Sequence, residues 1–207
     1  TSGWREANES AHRIETLKSH YLNDDYWDVV QIDDYSRVHV PAFHVAGWYD
    51  IFARPTVQGF LGYQNEGGEG ARGAQHLIMG PWTHELHDPQ VGELTIPNAE
   101  LTMYDQQETL AQACLFDEPE ARTQLDALPP VQYFTIGAVG ETNAPGNEWR
   151  TAETWPPPGG VDTPLFLHSG NGLGHELPGA DDGGDTFTYD PSEPTPTIGG
   201  ANLGLPS

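Results

Sequence analysis

Lysine is almost missing from this 207-residue chain. Lys18 stands alone, and lysine and arginine together number 8 against 31 aspartates and glutamates, a net charge of −23. A surface of that sign repels phosphate backbones, which argues against nucleic acid as a partner. The acidic residues are scattered, as at Asp24–Asp25, Asp33–Asp34, Glu118, Glu120 and Asp181–Asp182, rather than gathered into one tail. Such a surface suits concentrated salt, where screening removes the self-repulsion, and the dearth of lysine points the same way. The expectation is a protein of a high-salt organism, with an ordinary acidic surface as the competing reading. The single cysteine, Cys114, excludes an internal disulfide and a cysteine-based metal cage. Its apolar, helical setting reads as a small core residue. No apolar run approaches the ~20 residues of a membrane span, so no membrane partner is expected. The opening residues, Thr1-Ser2-Gly3-Trp4-Arg5-Glu6, carry neither an initiator methionine nor a signal-peptide profile. They read as part of a longer protein, with the compartment open and the cytoplasm favoured.

What the chain does have is an alternation of helical and strand-like texture. Residues 3–22 predict a helix, with Ile14, Leu17 and Tyr21 on one face. Tyr26-Trp27-Asp28-Val29-Val30 is an aromatic connector suited to packing. The stretch after Asp50 keeps helical spacing through Val57, Phe60, Leu61 and Gln64, with Pro55 in the first turn and a glycine-rich stop over 65–73. Residues 85–97 read as loop, and 98–116 as another helix with Leu101, Leu110 and Ala113 or Cys114 facing in. At Leu128-Pro129-Pro130 the period shifts towards two. Runs at 131–136, 149–155, 164–168 and 186–189 are separated by turn clusters such as Pro156-Pro157-Pro158-Gly159-Gly160. Short strands between Gly/Pro turns predict a β-sandwich or jelly roll, too few here to close one.

The stretch from Pro41 to His84 organises the rest. An apolar strand, Pro41-Ala42-Phe43-His44-Val45-Ala46, breaks into Gly47-Trp48-Tyr49-Asp50. A helix follows, and then a second apolar run, His76-Leu77-Ile78-Met79, breaks into Gly80-Pro81-Trp82-Thr83-His84. The connection is long enough for the right-handed crossover that joins parallel strands. A carboxylate and an imidazole then lie just past the C-terminal ends of neighbouring strands, where open α/β sheets place their chemistry. Asp50 and His84 are thus read as the acid and base of a hydrolase. In α/β-hydrolases the triad runs nucleophile, acid, histidine along the chain, and these two are in that order. The nucleophile is absent. No Gly-x-Ser-x-Gly elbow occurs, and Ser2, Ser10, Ser19 and Ser36 lie in helical or polar contexts.

At these motifs the chain resembles a known family. Ala46-Gly47-Trp48-Tyr49-Asp50 and Ile78-Met79-Gly80-Pro81-Trp82-Thr83-His84 are similar to the acid and histidine motifs of the CocE/NonD hydrolases, which include cocaine esterase, α-amino-acid ester hydrolases and X-Pro dipeptidyl-peptidases. The likeness continues through Pro129-Pro130-Val131-Gln132-Tyr133-Phe134-Thr135-Ile136-Gly137, Asn147-Glu148-Trp149-Arg150 and Thr154-Trp155-Pro156, which resemble the start of that family's jelly roll. Tyr189-Asp190-Pro191, Pro194, Pro196 and Gly199-Gly200 resemble one of its loops. The resemblance implies the C-terminal part of an α/β-hydrolase sheet over 1–128 and the start of a truncated β jelly roll over 129–207. It implies acyl transfer without a cofactor. Asp50 would accept a hydrogen bond from His84 Nδ1, and His84 Nε2 would take the serine proton and return it to the leaving group. The substrate class would be small esters or peptides, including Xaa-Pro dipeptides. Trp48, Tyr49 and Trp82 would support the two loops or the pocket.

With no nucleophile among its residues, the chain alone is expected to be inactive, unless a separate polypeptide supplies the serine elbow. The competing reading is a non-catalytic, β-rich binding or assembly module in which the Asp/His pair is a leftover. A truncated sheet would also leave an unpaired edge prone to self-association. Two patterns imitate metal sites. In His84-Glu85-Leu86-His87 the second histidine is at i+3, not the i+4 of a zincin helix. Asp181-Asp182-Gly183-Gly184-Asp185 lacks the spacing of an EF-hand loop and reads as an acidic turn. No metal is expected at either.

Overall fold

The computed structural model describes residues 13–194 other than 23, 33, 102 and 142, with the side chains of 103 and 104 outside the description. Its centre is a four-stranded sheet of order β1-β2-β5-β6. Strand β1 (Ala42–Gly47) runs parallel to β2 (Gln75–Gly80), in a register that pairs Ala42 with Gln75 and Gly47 with Gly80. Helix α2 (Ala53–Glu66) makes the crossover between them. Helix α1, over 13–19, precedes this unit.

Strand β2 is buried at all six positions because both of its faces are covered. Leu77 and Met79 point to one side, where Ala46, Val131 and Phe60 of α2 complete a cluster. Ile78 points to the other side and meets Trp82, Val91, Ile96, Ala99 and Phe134. This alternation explains why the strand reads as a continuous apolar run. The segment expected to be loop folds into a small hairpin, β3 (Gln90–Val91) and β4 (Leu94–Thr95). It covers Trp82 with Val91 and Ile96.

Helix α3 (Met103–Leu115) and helix α4 (Pro119–Asp126) form a helical pair around Ala113, Ala121 and Leu125. Cys114 is half-buried at its margin, with Arg122 Nη2 3.6 Å from the sulfur.

Two further expectations are corrected. The first concerns the strands after Leu128. β5 (Val131–Thr135) lies parallel to β2, and β6 (Glu148–Ala152) lies antiparallel to β5. Both belong to the α/β sheet, so the change of texture at Leu128 is no break in it. β5 sends Val131 and Tyr133 to one core and Phe134 to the other, as an interior strand does. β6 is the edge strand and is less buried than β5: Trp149 and Ala152 are half-buried, packing on opposite sides of the sheet, while Glu148, Arg150 and Thr151 face solvent. Beyond β6, the regular strands among the described residues are β7 (Phe166–His168) and β8 (Gly172–Gly174), paired as a short hairpin. The run at 186–189 forms no strand.

The second concerns α1. Its intended inner face is open, with Ile14, Leu17 and Tyr21 at 51%, 56% and 79% exposure. Periodicity finds an amphipathic face but not the surface that covers it. In the connector after it, Tyr26 stacks on His20 and Trp27 Nε1 donates to the His20 carbonyl at 2.8 Å, while Val29 and Val30 are exposed. The expected helical residues 3–12 and the loop motif at Pro196 and Gly199-Gly200 lie outside the described residues.

Candidate active site

The register of β1 and β2 dictates where the two predicted residues fall. Gly47 and Gly80 are partners in the ladder, and neighbouring strands lie ~4.8 Å apart. Asp50 follows its strand end by three residues and His84 by four, so both side chains arrive at the same end of adjacent strands. His84 Nδ1 lies 3.1 Å from Asp50 Oδ2.

Asp50 is buried, at 5% exposure. Its backbone N–H donates to the Gly47 carbonyl at 3.1 Å, closing a turn at the strand end. Its Oδ1 accepts the Phe52 N–H at 3.0 Å. The carboxylate therefore has one oxygen anchored to the backbone that opens α2 and the other facing the imidazole. A carboxylate is acceptor-only, so Nδ1 of His84 is the donor of the pair. In the neutral ring that leaves the lone pair on Nε2. The His84 side chain is about half exposed, at 51%, and the aspartate's is at 4%. An anchored, buried acid thus holds a half-exposed histidine. The Phe52 ring sits 5.2 Å from the imidazole, tilted by 55°.

The three expected supports are held in different ways. Trp48 Nε1 donates to the Phe134 carbonyl at 2.8 Å, and its ring lies against Trp155. Trp82 is fully buried, with Nε1 donating to the Ala99 carbonyl at 3.0 Å. Tyr49 packs on the same cluster as Trp82, and desolvation pushes its phenol pKa up. Phe52 was not anticipated, since helical spacing assigns it to the start of α2. Its position two residues after an aspartate at a strand end is the signal, because a carboxylate commonly accepts the N–H two residues on.

The described serines are engaged locally. Ser19 Oγ donates to the Glu15 carbonyl, and the Ser36, Ser169 and Ser192 hydroxyls donate to Asp34, Asp182 and Asp190. His87, the second histidine of the metal-like pattern, lies against the Trp82 ring instead. In the acidic turn, Asp182 accepts from the Ser169 N–H and pairs with His168 Nδ1, while Asp185 accepts the N–H groups of Gly170 and Asn171. These bonds hold Asp182 at a pKa of about 2, with the Ser169 hydroxyl as the largest cause. Among the described residues, no helix is long and apolar enough to cross a membrane.

The chain is similar to known hydrolases. The family model for X-Pro dipeptidyl-peptidase (S15 family) matches residues 2–85, the segment that includes both Asp50 and His84. Cocaine esterase from Rhodococcus sp. (strain MB1 Bresler) is 27% identical over 208 residues, covering 92% of this chain and 32% of that protein. The chain therefore spans about a third of that relative's length. An aminopeptidase from the marine sediment archaeon Thaumarchaeota archaeon shares the fold with a TM-score of 0.65 at 23% identity, covering 92% of this chain and 31% of that one. A CocE/NonD family hydrolase from Staphylococcus aureus matches with a TM-score of 0.56 at 22% identity, covering 79% and 25%. Over the segment that holds the acid and the histidine this chain is thus similar to the S15 family, along most of its length it is similar to cocaine esterase, and it shares the fold of a CocE/NonD family hydrolase.

Proposed function

We propose that Asp50 and His84 are the acid and the general base of a Ser–His–Asp hydrolase that acts on small acyl esters or Xaa-Pro peptides. The observation that carries this reading is the 3.1 Å contact between His84 Nδ1 and the buried carboxylate. Asp50 fixes the tautomer and balances the imidazolium that forms during the reaction. His84 Nε2 takes the proton from a serine hydroxyl as its oxygen attacks the carbonyl carbon. The same proton then passes to the leaving alcohol or amine as the acyl bond breaks, and water repeats the sequence on the acyl-enzyme. That serine, and the donors that stabilise the oxyanion, come from polypeptide other than these 207 residues.

Within this reading β7–β8 begins a β-rich, jelly-roll-like domain, and the α/β part extends through β6. The chain by itself is inactive, because an unassisted Asp–His pair has no nucleophile to activate. The test compares the purified chain with the chain combined with the polypeptide encoded immediately upstream, using a chromogenic ester. The chain alone gives no turnover. The combination gives turnover that disappears in His84→Ala. Ester hydrolysis by the chain alone that is lost in His84→Ala would refute the claim of inactivity. A combination indifferent to His84→Ala would refute the assignment of the base.

A further inference from the structure

The two strand tips do more than end side by side. Beyond the paired ends of β1 and β2, the Trp48 N–H donates to the Gly80 carbonyl at 2.8 Å and the Tyr49 N–H donates to the Trp82 carbonyl at 3.0 Å. The chain leaving β1 and the chain leaving β2 therefore cross in contact, backbone on backbone. The crossing passes directly over Gly47. A Cβ placed there would overlap the carbonyl oxygen, carbonyl carbon and Cα of Trp82. Trp82 has little room to retreat, because its side chain is fully buried, bonded to the Ala99 carbonyl and packed on Trp149. It also lies across Gly80, where a Cβ would overlap the indole ring itself.

We propose that Gly47 is a positioning residue for the Asp50–His84 pair: its bare α-carbon lets the Trp82 carbonyl close over the end of β1, and this backbone crossing sets the separation of acid and imidazole. Gly47 acts at both ends of the contact. Its own carbonyl receives the Asp50 N–H, closing the turn that presents the carboxylate, while its α-carbon receives the segment two residues before His84. Carbon atoms in ordinary contact stand about 3.5–4.0 Å apart, so a methyl at Gly47 forces the two tips apart by about 1 Å or more. Misplacement of that size costs on the order of 10²-fold in turnover. The role in turnover rests on the reading of Asp50 and His84 given above; the geometric role does not.

Four variants test it: Gly47→Ala, Gly80→Ala, and each of these combined with Trp82→Leu. The readout is the ¹⁵N and ¹H signature of His84 by NMR, with Phe134 and Trp149 amide shifts as the report on the sheet. In Gly47→Ala the Nδ1–H signature of the Asp50 contact is lost while the β5–β6 shifts stay native. Turnover of the combined enzyme falls about 10²-fold, mainly in kcat. Gly80→Ala disturbs the signature through the indole, and Trp82→Leu restores it there. Trp82→Leu does not restore it in Gly47→Ala, because that overlap is with backbone. A folded Gly47→Ala chain with an unchanged His84 signature overturns the proposal and leaves the catalytic assignment standing. A combined enzyme indifferent to His84→Ala does the reverse. If Gly47→Ala fails to fold, hydrogen exchange in the unsubstituted chain decides. Opening the crossing must open the pair, so a His84–Asp50 contact that persists after the Tyr49 amide has lost its protection overturns the proposal.

Discussion

Replacing Asp50 by asparagine tests the dyad through the proton it controls. The carboxylate now serves two donors, the Phe52 N–H at 3.0 Å and His84 Nδ1 at 3.1 Å. Asparagine keeps one acceptor oxygen. If that oxygen stays on Phe52, the amide NH₂ faces Nδ1, and the ring can pair with it only by accepting there. The proton then resides on Nε2, which loses its lone pair. In the assembled enzyme this inverted tautomer costs about 10⁴-fold in kcat, or about 5.4 kcal/mol of barrier. The fold loses much less, because a hydrogen bond to a charged partner contributes about 1.5–3 kcal/mol and part of it survives. The assay is ¹⁵N NMR of His84 at pH 8.5. The unsubstituted chain shows Nε2 as the unprotonated nitrogen, and Asp50→Asn shows it as the protonated one. The same tautomer in both chains would refute the account of the carboxylate, whatever the turnover.

Other perturbations probe the scaffold. Phe60, fully buried beneath the sheet, should cost about 3–5 kcal/mol when cut to alanine, read as a lower denaturant midpoint at similar slope. His44 and His76 are both desolvated, which lowers their pKa values below that of an ordinary imidazole. The unfolded chain therefore protonates first, so their contribution is intact above about pH 6.5 and is lost as pH falls through their folded values. An equilibrium unfolding series from pH 8 to 5 checks this, and constant stability across it would contradict the burial of both rings. With a net charge of −23, the melting temperature should rise as salt is raised from 0.1 M to 1 M, where the screening length drops from about 10 Å to about 3 Å. A melting temperature that is unchanged or lower would remove the argument for adaptation to high salt.

The parts visible in the amino-acid order were those set by one local rule. The continuous apolar run at β2 marked a strand covered on both faces, and strand-end arithmetic brought Asp50 and His84 together. What escaped was set by partners remote in sequence. The run that forms β6 reads as a short strand, which suits an edge strand of an α/β sheet as well as it does a sandwich strand; only its pairing with β5 decides. Ile14, Leu17 and Tyr21 have helical spacing, but spacing does not say what lies over them. The crossing at Gly47 was hidden because it depends on the path of the chain around Trp82, and Phe52 because its backbone N–H, not its ring, holds the acid.

The central sheet is lopsided. On one rim β6 is antiparallel, lined by the exposed Glu148–Arg150 pair and followed closely by three prolines, residues that resist the addition of another strand. On the other rim β1 has, among the described residues, a ladder partner on one side only. Growth of this sheet is thus directional, and any strand that joins it comes to lie next to β1, the strand whose end leads into the turn that holds Asp50.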